Sequence, residues 1–320
     1  NCIFNMKNEL IVKDNALINA SYNLELTEQR LILLAIMSAR ESGLGITADS
    51  TIEIHAKEYA DRFNVTIDAA YKALKEAANT LFERKFYYTK QVHDYPQLKI
   101  YMFKSRWVSR IAYADDFATL AITFAPDVVP LITRLEERFT YYQFKQIAQL
   151  TSKYAIRLYE LLIAWREIGK MPLIELSDFR KKIGVEPDEY QRMELFKRRV
   201  LEPAIKQING HTDITVSYAQ HKKGRTISGF SFRFKQKQQP KIEKLIDPKR
   251  DTNTPDFFIQ MTDAQRHLFA NKMSEIPEMS KYSQGTESYQ QFAIRIADML
   301  LQPEKFRELY PILEKAGFKR

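Results

Sequence analysis

An α+β fold carrying one helix–turn–helix–hairpin unit twice is predicted by three features of the sequence. A weak internal repeat is offset by about 120 residues, longer than solenoid periods. Each copy runs from a short strand through two helical stretches into alternating strands. The excess of positive charge falls in the second copy alone.

Two helices precede the copies. The first, Thr27–Arg40, is apolar on nearly every side through Leu31–Met37 and is expected to be buried. In the first copy Thr51–Ile54 reads as a strand, His55–Phe63 as a helix and Asn64-Val65 as a break. Tyr71, Leu74, Ala78 and Leu81 then recur at helical spacing, and Leu120, Ile122 and Phe124 alternate as a strand. The second leading helix, Ser152–Ile168, stops at Gly169 before Pro172. In the second copy Leu173–Leu176 is the strand, and Ser177 is an N-cap for a helix ending near Ile183-Gly184. Met193, Phe196, Val200, Ala204 and Ile208 mark a longer helix, with Pro203 expected to kink or end it. Ile214, Val216 and Tyr218 pair with Phe230, Phe232 and Phe234. This is the winged helix-turn-helix arrangement in tandem, with a small helical C-terminal appendage.

Pro126 and Pro130 place a domain boundary between 126 and 140, dividing an N-terminal winged-helix domain, 1–125, from a second, 126–238. A polar, proline-punctuated stretch from Lys235 to Pro255 contains a linker, 239–260. The tail, 261–320, opens on a capping box, Thr262-Asp263-Ala264-Gln265. Phe292, Ile296 and Met299 mark its next helix, and a last one starts after Pro303.

Composition excludes several classes. Hydrophobic residues make up 45% and charged residues 28%, so disorder of the whole chain is ruled out. The single cysteine, Cys2, permits neither an internal disulfide framework nor a cysteine metal cluster. No apolar run is long enough to span a bilayer and no secretory signal is visible, which predicts a soluble, cytoplasmic protein. Among nine glycines there is no P-loop, and the five histidines form neither HxH nor HExxH. Asp115-Asp116 reads as a turn. No cofactor, metal site or catalytic constellation is expected, and the chain is not read as an enzyme.

Charge then points to a partner. Residues 151–246 hold 20 basic against 11 acidic residues, the whole of the net +9. A localised excess of this kind is a footprint for a polyanion, nucleic acid first, although a solvated basic face is the plainer alternative. Tyr190–Asn209 occupies the place of a recognition helix. Its polar face carries Gln191, Arg192, Leu195, Arg198, Arg199, Glu202 and Lys206. Gln191, Arg192, Leu195, Arg198 and Arg199 are candidates for base readout, the planar forks for guanine or adenine edges and Leu195 for a thymine methyl. Lys197 and Lys206 are assigned to phosphate. Lys222, Lys223 and Arg225 form a wing tip suited to phosphate or minor-groove contact, or else one that protects a hairpin from aggregation. In the first copy Lys72, Lys75, Lys104, Arg106 and Arg110 are weaker phosphate candidates. That domain is also expected to supply a dimer contact through Thr27–Arg40, unless this helix is simply its core.

Six strings resemble the iteron-binding RepB/RepE-like initiator proteins of theta-replicating plasmids. They are VKDNALINASY from Val12, LTEQRLILLAI from Leu26, DVVPLI from Asp127, LTSKYAIRLYELL from Leu150, YQRMELFKRRVL from Tyr190 and KKGRTISGFSFRF from Lys222. They stand in family order across about 12–235. The resemblance implies two winged-helix domains embracing one double-stranded iteron repeat, with monomers opening the origin. It also implies dimers repressing the initiator's own promoter at an inverted-repeat operator, and a host replication initiator and replicative helicase as partners. A winged-helix repressor that never melts an origin is the alternative of the same fold. A nicking replication enzyme is the alternative of another class.

Overall fold

The computed structural model describes residues 9–41, 46–94, 97–133, 139–237, 261, 263–283 and 288–318. β1 (Leu10–Asp14) opens the chain, followed by α1 (Asn15–Ile18), β2 (Ser21–Tyr22) and α2 (Leu26–Glu41). Leu31–Met37 of α2 is buried on every side, as its composition requires. The apolar run of this helix is therefore core, the plainer of the two readings.

The first winged-helix motif runs through β3 (Thr51–His55), α3 (Ala56–Phe63) and α4 (Ile67–Thr80). Asn64 takes a left-handed φ of 50° between the helices, and the Thr66 hydroxyl caps α4 by accepting from the Ala69 N–H. The buried face of α4 is Ala70, Ala73, Leu74 and Ala77, whereas Tyr71 is 42% exposed. Alanines let α4 approach its neighbours closely, so hydropathy alone misjudges the phase of this helix. β4 (Lys85–Asp94), β5 (Gln97–Arg106), β6 (Val108–Ala114) and β7 (Thr119–Phe124) follow. Strands β3, β7 and β6 make the motif's sheet, and Asp115–Phe117 forms a tight 3₁₀ turn at its wing. The hairpin β4–β5 joins β2 in a separate sheet with β5 at its edge. No such hairpin is anticipated from the sequence, although Phe86, Tyr88 and Phe103 alternate through it.

After α5 (Val128–Thr133), β8 (Phe139–Gln143) returns to pair antiparallel with β1, Leu10 opposite Gln143. α6 (Lys145–Ala148) leads into α7 (Lys153–Ile163), which is capped by Ser152 and buried along its whole length. One continuous core joins both motifs, so the prolines near 126–140 punctuate the chain without interrupting its packing. A fully buried ionic cluster sits in this core. Glu160 takes Lys13 on Oε1 at 2.6 Å and Arg157 on Oε2 at 2.6 Å, and Tyr142 donates to Oε1 at 2.7 Å. Burial pushes the carboxyl up, but the two cations and these hydrogen bonds outweigh it and hold Glu160 at about 2. Arg157 also donates to the carbonyls of Ile18, Ala20 and Lys182. Three chain segments thereby meet on one guanidinium.

The second motif comprises β9 (Lys170–Glu175), α8 (Leu176–Lys182), α9 (Met193–Phe196), a π turn (Lys197–Leu201), α10 (Glu202–His211), β10 (Ile214–Lys223) and β11 (Thr226–Gln236). Glu175, not Ser177, is the N-cap of α8, without a side-chain bond. The sheet runs β10-β11-β9, so Pro172 lies on an edge strand, where its missing N–H is tolerated. Phe230, Phe232 and Phe234 face the core with Ile214 and Val216. Residues 238–260, which contain the expected linker, lie outside the described residues.

The C-terminal unit is separate and has its own core. α11 (Asp263–Ser274), a 3₁₀ turn (Pro277–Tyr282), α12 (Tyr289–Met299) and α13 (Pro303–Lys315) bury Met273, Met279, Phe292, Ile296, Phe306, Leu309 and Leu313. A capping box is present at Ser288–Gln291. The one expected at Thr262–Gln265 begins outside the described residues.

Candidate nucleic-acid interface

The second helix-turn-helix is held by its own backbone and by β2, ahead of the first motif. Gly184, at φ +79°, passes so close to β2 that a Cβ there would lie 2.7 Å from the Tyr22 carbonyl oxygen. Across the same contact Asn23 donates to Glu186 at 2.8 Å. Tyr190 adopts a positive φ of 44°, rare for a bulky residue, where the Arg180 guanidinium donates to its carbonyl at 3.1 Å. The loop entering the second helix is thereby set.

That helix starts later than its sequence suggests. Gln191 precedes it and Arg192 is its N-cap, so both stand at its N-terminal end rather than on its flank. Phe196, Val200, Leu201, Ala204 and Ile208 are buried, and Met193 packs against them. Pro203 does not end the helix. The turn before it widens to a π turn, in which the Glu202 N–H reaches the Lys197 carbonyl five residues back, and α10 continues to His211. Gln191, Arg192, Arg198, Arg199, Glu202 and Lys206 are exposed; Leu195 and Lys197 are half-buried. Lys197 leans onto the wing, donating to Gln220 at 3.3 Å with its ammonium 5.8 Å from the Tyr218 ring centre. Glu194 pairs with Arg192 at 3.4 Å and Arg198 at 3.6 Å. All three side chains are more than half exposed, so these pairs are weak and exchangeable.

The wing is the β10–β11 hairpin, bulged at His221/Lys222, with Gly224 at φ +65° in its tip. Lys222, Lys223 and Arg225 are all exposed there. Among the described residues, no acid pairs with Arg199, Lys206, Lys222, Lys223 or Arg225, so the second motif exposes five uncompensated cations on its helix and wing tip.

The first motif differs. Lys72 sits 3.8 Å from Glu76, Lys75 2.9 Å from Asp115 and Arg106 3.1 Å from Glu83. Lys104 and Arg106 belong to β5 in the separate hairpin rather than to the β6–β7 wing of the motif, because three strands lie between α4 and β7. Lys104 lies over the Tyr87 ring, at 5.5 Å. Arg110 is exposed on β6.

Comparison with known proteins places this geometry. The first winged-helix domain of the initiator replication proteins matches residues 10–163, and the second matches residues 175–234. An uncharacterised 27.6 kDa protein of Escherichia coli is 24% identical over 239 residues, covering 72% of this chain and 95% of the relative. The crystal structure of the Pi initiator protein in complex with iteron DNA has the same fold, at 22% identity and a TM-score of 0.51. That match covers 73% of this chain and 99% of the Pi chain. The WH1 domain of the replication protein MSBI1.176 is 56% identical over 39% of this chain and 92% of its own, with a TM-score of 0.33. Two winged-helix motifs in sequence, matched across both by the family's domains, make the chain a member of the initiator replication protein family, the DNA-binding initiators of plasmid replication.

Proposed function

We propose that the protein binds double-stranded iteron repeats at a plasmid origin as a monomer, in the bacterial cytoplasm, and starts replication without catalysing a reaction. The uncompensated cations of the second motif carry this reading. In it Gln191, Arg192, Leu195, Arg198 and Arg199 read bases, while Lys197, Lys206, Lys222, Lys223 and Arg225 meet phosphate. Residues 126–238 make the main DNA contact, and 1–125 add a positional one through Lys72, Lys75 or Arg110. A host replication initiator and helicase are then recruited.

Single alanine substitutions test the division between reading and holding. Loss of Arg198 or Arg199 is expected to cost about 1–3 kcal/mol on the preferred duplex and to relax preference at one base pair. Loss of Lys222, Lys223 or Arg225 is expected to weaken specific and scrambled duplexes alike and to reduce the salt slope by about 1. Equal losses on both duplexes for the helix arginines would remove the recognition-helix assignment.

Dimers would repress the protein's own promoter at an inverted-repeat operator. With α2 buried, the first domain offers β5 instead. It is an edge strand whose outer face shows Ile100 at 66% and Met102 at 76% exposure, flanked by Tyr87. Such an edge is a template for a second copy. Met102→Lys is expected to weaken self-association about 10-fold or more in sedimentation equilibrium; an unchanged dimer constant would move the contact elsewhere.

A further inference from the structure

Phe196, Val200, Ala204 and Ile208 are buried at strict four-residue intervals. In an α-helix each such step advances about 40° around the axis, so the three steps drift about 120°. A helix lying on one core cannot follow that drift. One extra residue in a turn takes back about 100°, and the π turn at Lys197–Leu201 supplies it. Removing any one residue between Phe196 and Val200 would leave Val200, Leu201, Ala204 and Ile208 three, four, seven and eleven positions after Phe196. That is the pattern of an unbroken amphipathic helix. The segment is thus a regular helix with one residue inserted on its exposed side.

Pro203 supports the insertion. It has no N–H for the carbonyl of Arg198 or Arg199, and its ring would crowd the Arg199 carbonyl in a tighter turn. Both arginines are exposed. In an unbroken α-helix Arg199, three residues beyond Phe196, would lie about 60° from it, on the flank of the buried face. The wider turn carries it to about 110°, beside Arg198 on the side away from the core.

We propose that the π turn determines specificity. It presents Arg198 and Arg199 together to the groove, in one fixed orientation relative to the core, so that two neighbouring base pairs are read, where an unbroken helix of the same residues would set Arg199 on the flank of the buried face. The idea rests on α9–α10 being the recognition helix, and its test separates the two readings. Duplexes selected from a random pool by the full-length protein would be scanned by single base-pair changes. Lys197→Ala gives up one phosphate contact but keeps the turn and both arginines, and is expected to bind every duplex somewhat more weakly while keeping preference at both base pairs. Deletion of Lys197 keeps both arginines but closes the turn. This brings Arg198 to about 100° and Arg199 to about 160° from Phe196, and so turns the pair around the helix by roughly 50° relative to the buried face. The deletion is expected to lose about 5- to 100-fold of preference at one of the two base pairs, with affinity for scrambled DNA and melting temperature close to those of Lys197→Ala. The same deletion in a Pro203→Ala background removes any obstruction by the proline. Reading of both base pairs by a folded deletion variant would overturn the proposal, and so would unfolding of both deletion variants, because the restored spacing would then have failed to give a continuous helix. If instead Arg198→Ala and Arg199→Ala leave every base preference untouched, the recognition-helix reading itself falls.

Discussion

Replacing Glu160 by alanine is expected to cost about 3–5 kcal/mol of folding stability, because it leaves Lys13 and Arg157 buried without their shared counter-charge. The side chains of Lys13, Arg157 and Glu160 are no more than 3% exposed, so water cannot replace the lost partner. Urea denaturation followed by circular dichroism measures the change. The loss should be largely recovered when Lys13 and Arg157 are replaced by methionine and Glu160 by leucine together, since removing all three charges removes the desolvation penalty with the attraction. A loss below about 1 kcal/mol for Glu160→Ala would show that the cluster is hydrated in solution. The pH dependence follows from the same carboxyl. Its folded value of about 2 lies below the ordinary 4.5, so ionised Glu160 favours the folded state. That stabilisation is complete above the ordinary carboxylate range and disappears as the pH falls from 4.5 through about 2. Glu160→Gln should flatten the stability profile across this window.

Truncation of Phe196 to alanine is expected to cost a further class of stability, about 3–5 kcal/mol, concentrated in the second motif. The ring is fully buried, edge-on to Phe179 at 6.1 Å and stacked with Phe230 at 6.2 Å, and the Arg180 guanidinium lies 5.1 Å from its centre. It joins α8, α9 and β11 and is the last anchor before the π turn. DNA binding should therefore fail at temperatures where the wild type still binds, in step with the melting of the motif. Phe196→Leu keeps most of the volume and should retain binding. Alanine at exposed Glu202, on the same helix, should change stability by no more than about 0.5 kcal/mol. A melting curve unchanged by Phe196→Ala would mean that the helix is anchored elsewhere.

Periodicity carried the local structure. The alternation of Phe230, Phe232 and Phe234, the apolar run Leu31–Met37 and the spacing Phe292–Ile296 each record which side of a single element is dry, and that information is contained within the element. The excess of charge in 151–246 likewise needed only counting. Tertiary structure decided what depends on distant partners. α4 turns its alanines inward and Tyr71 outward because close approach to its neighbours favours small side chains over hydropathy. Lys72, Lys75 and Arg106 look equivalent to Lys222 and Arg225 in the sequence, yet the fold sets acids beside the first three only. Lys13 and Glu160 are 147 residues apart and become a pair only when β1 lies against β8 and α7. The four-residue spacing of Phe196, Val200, Ala204 and Ile208 was visible throughout, but a spacing alone does not say whether a helix drifts, ends or widens. The shared core resolves it, because a single buried face can be kept only by taking one residue out of phase.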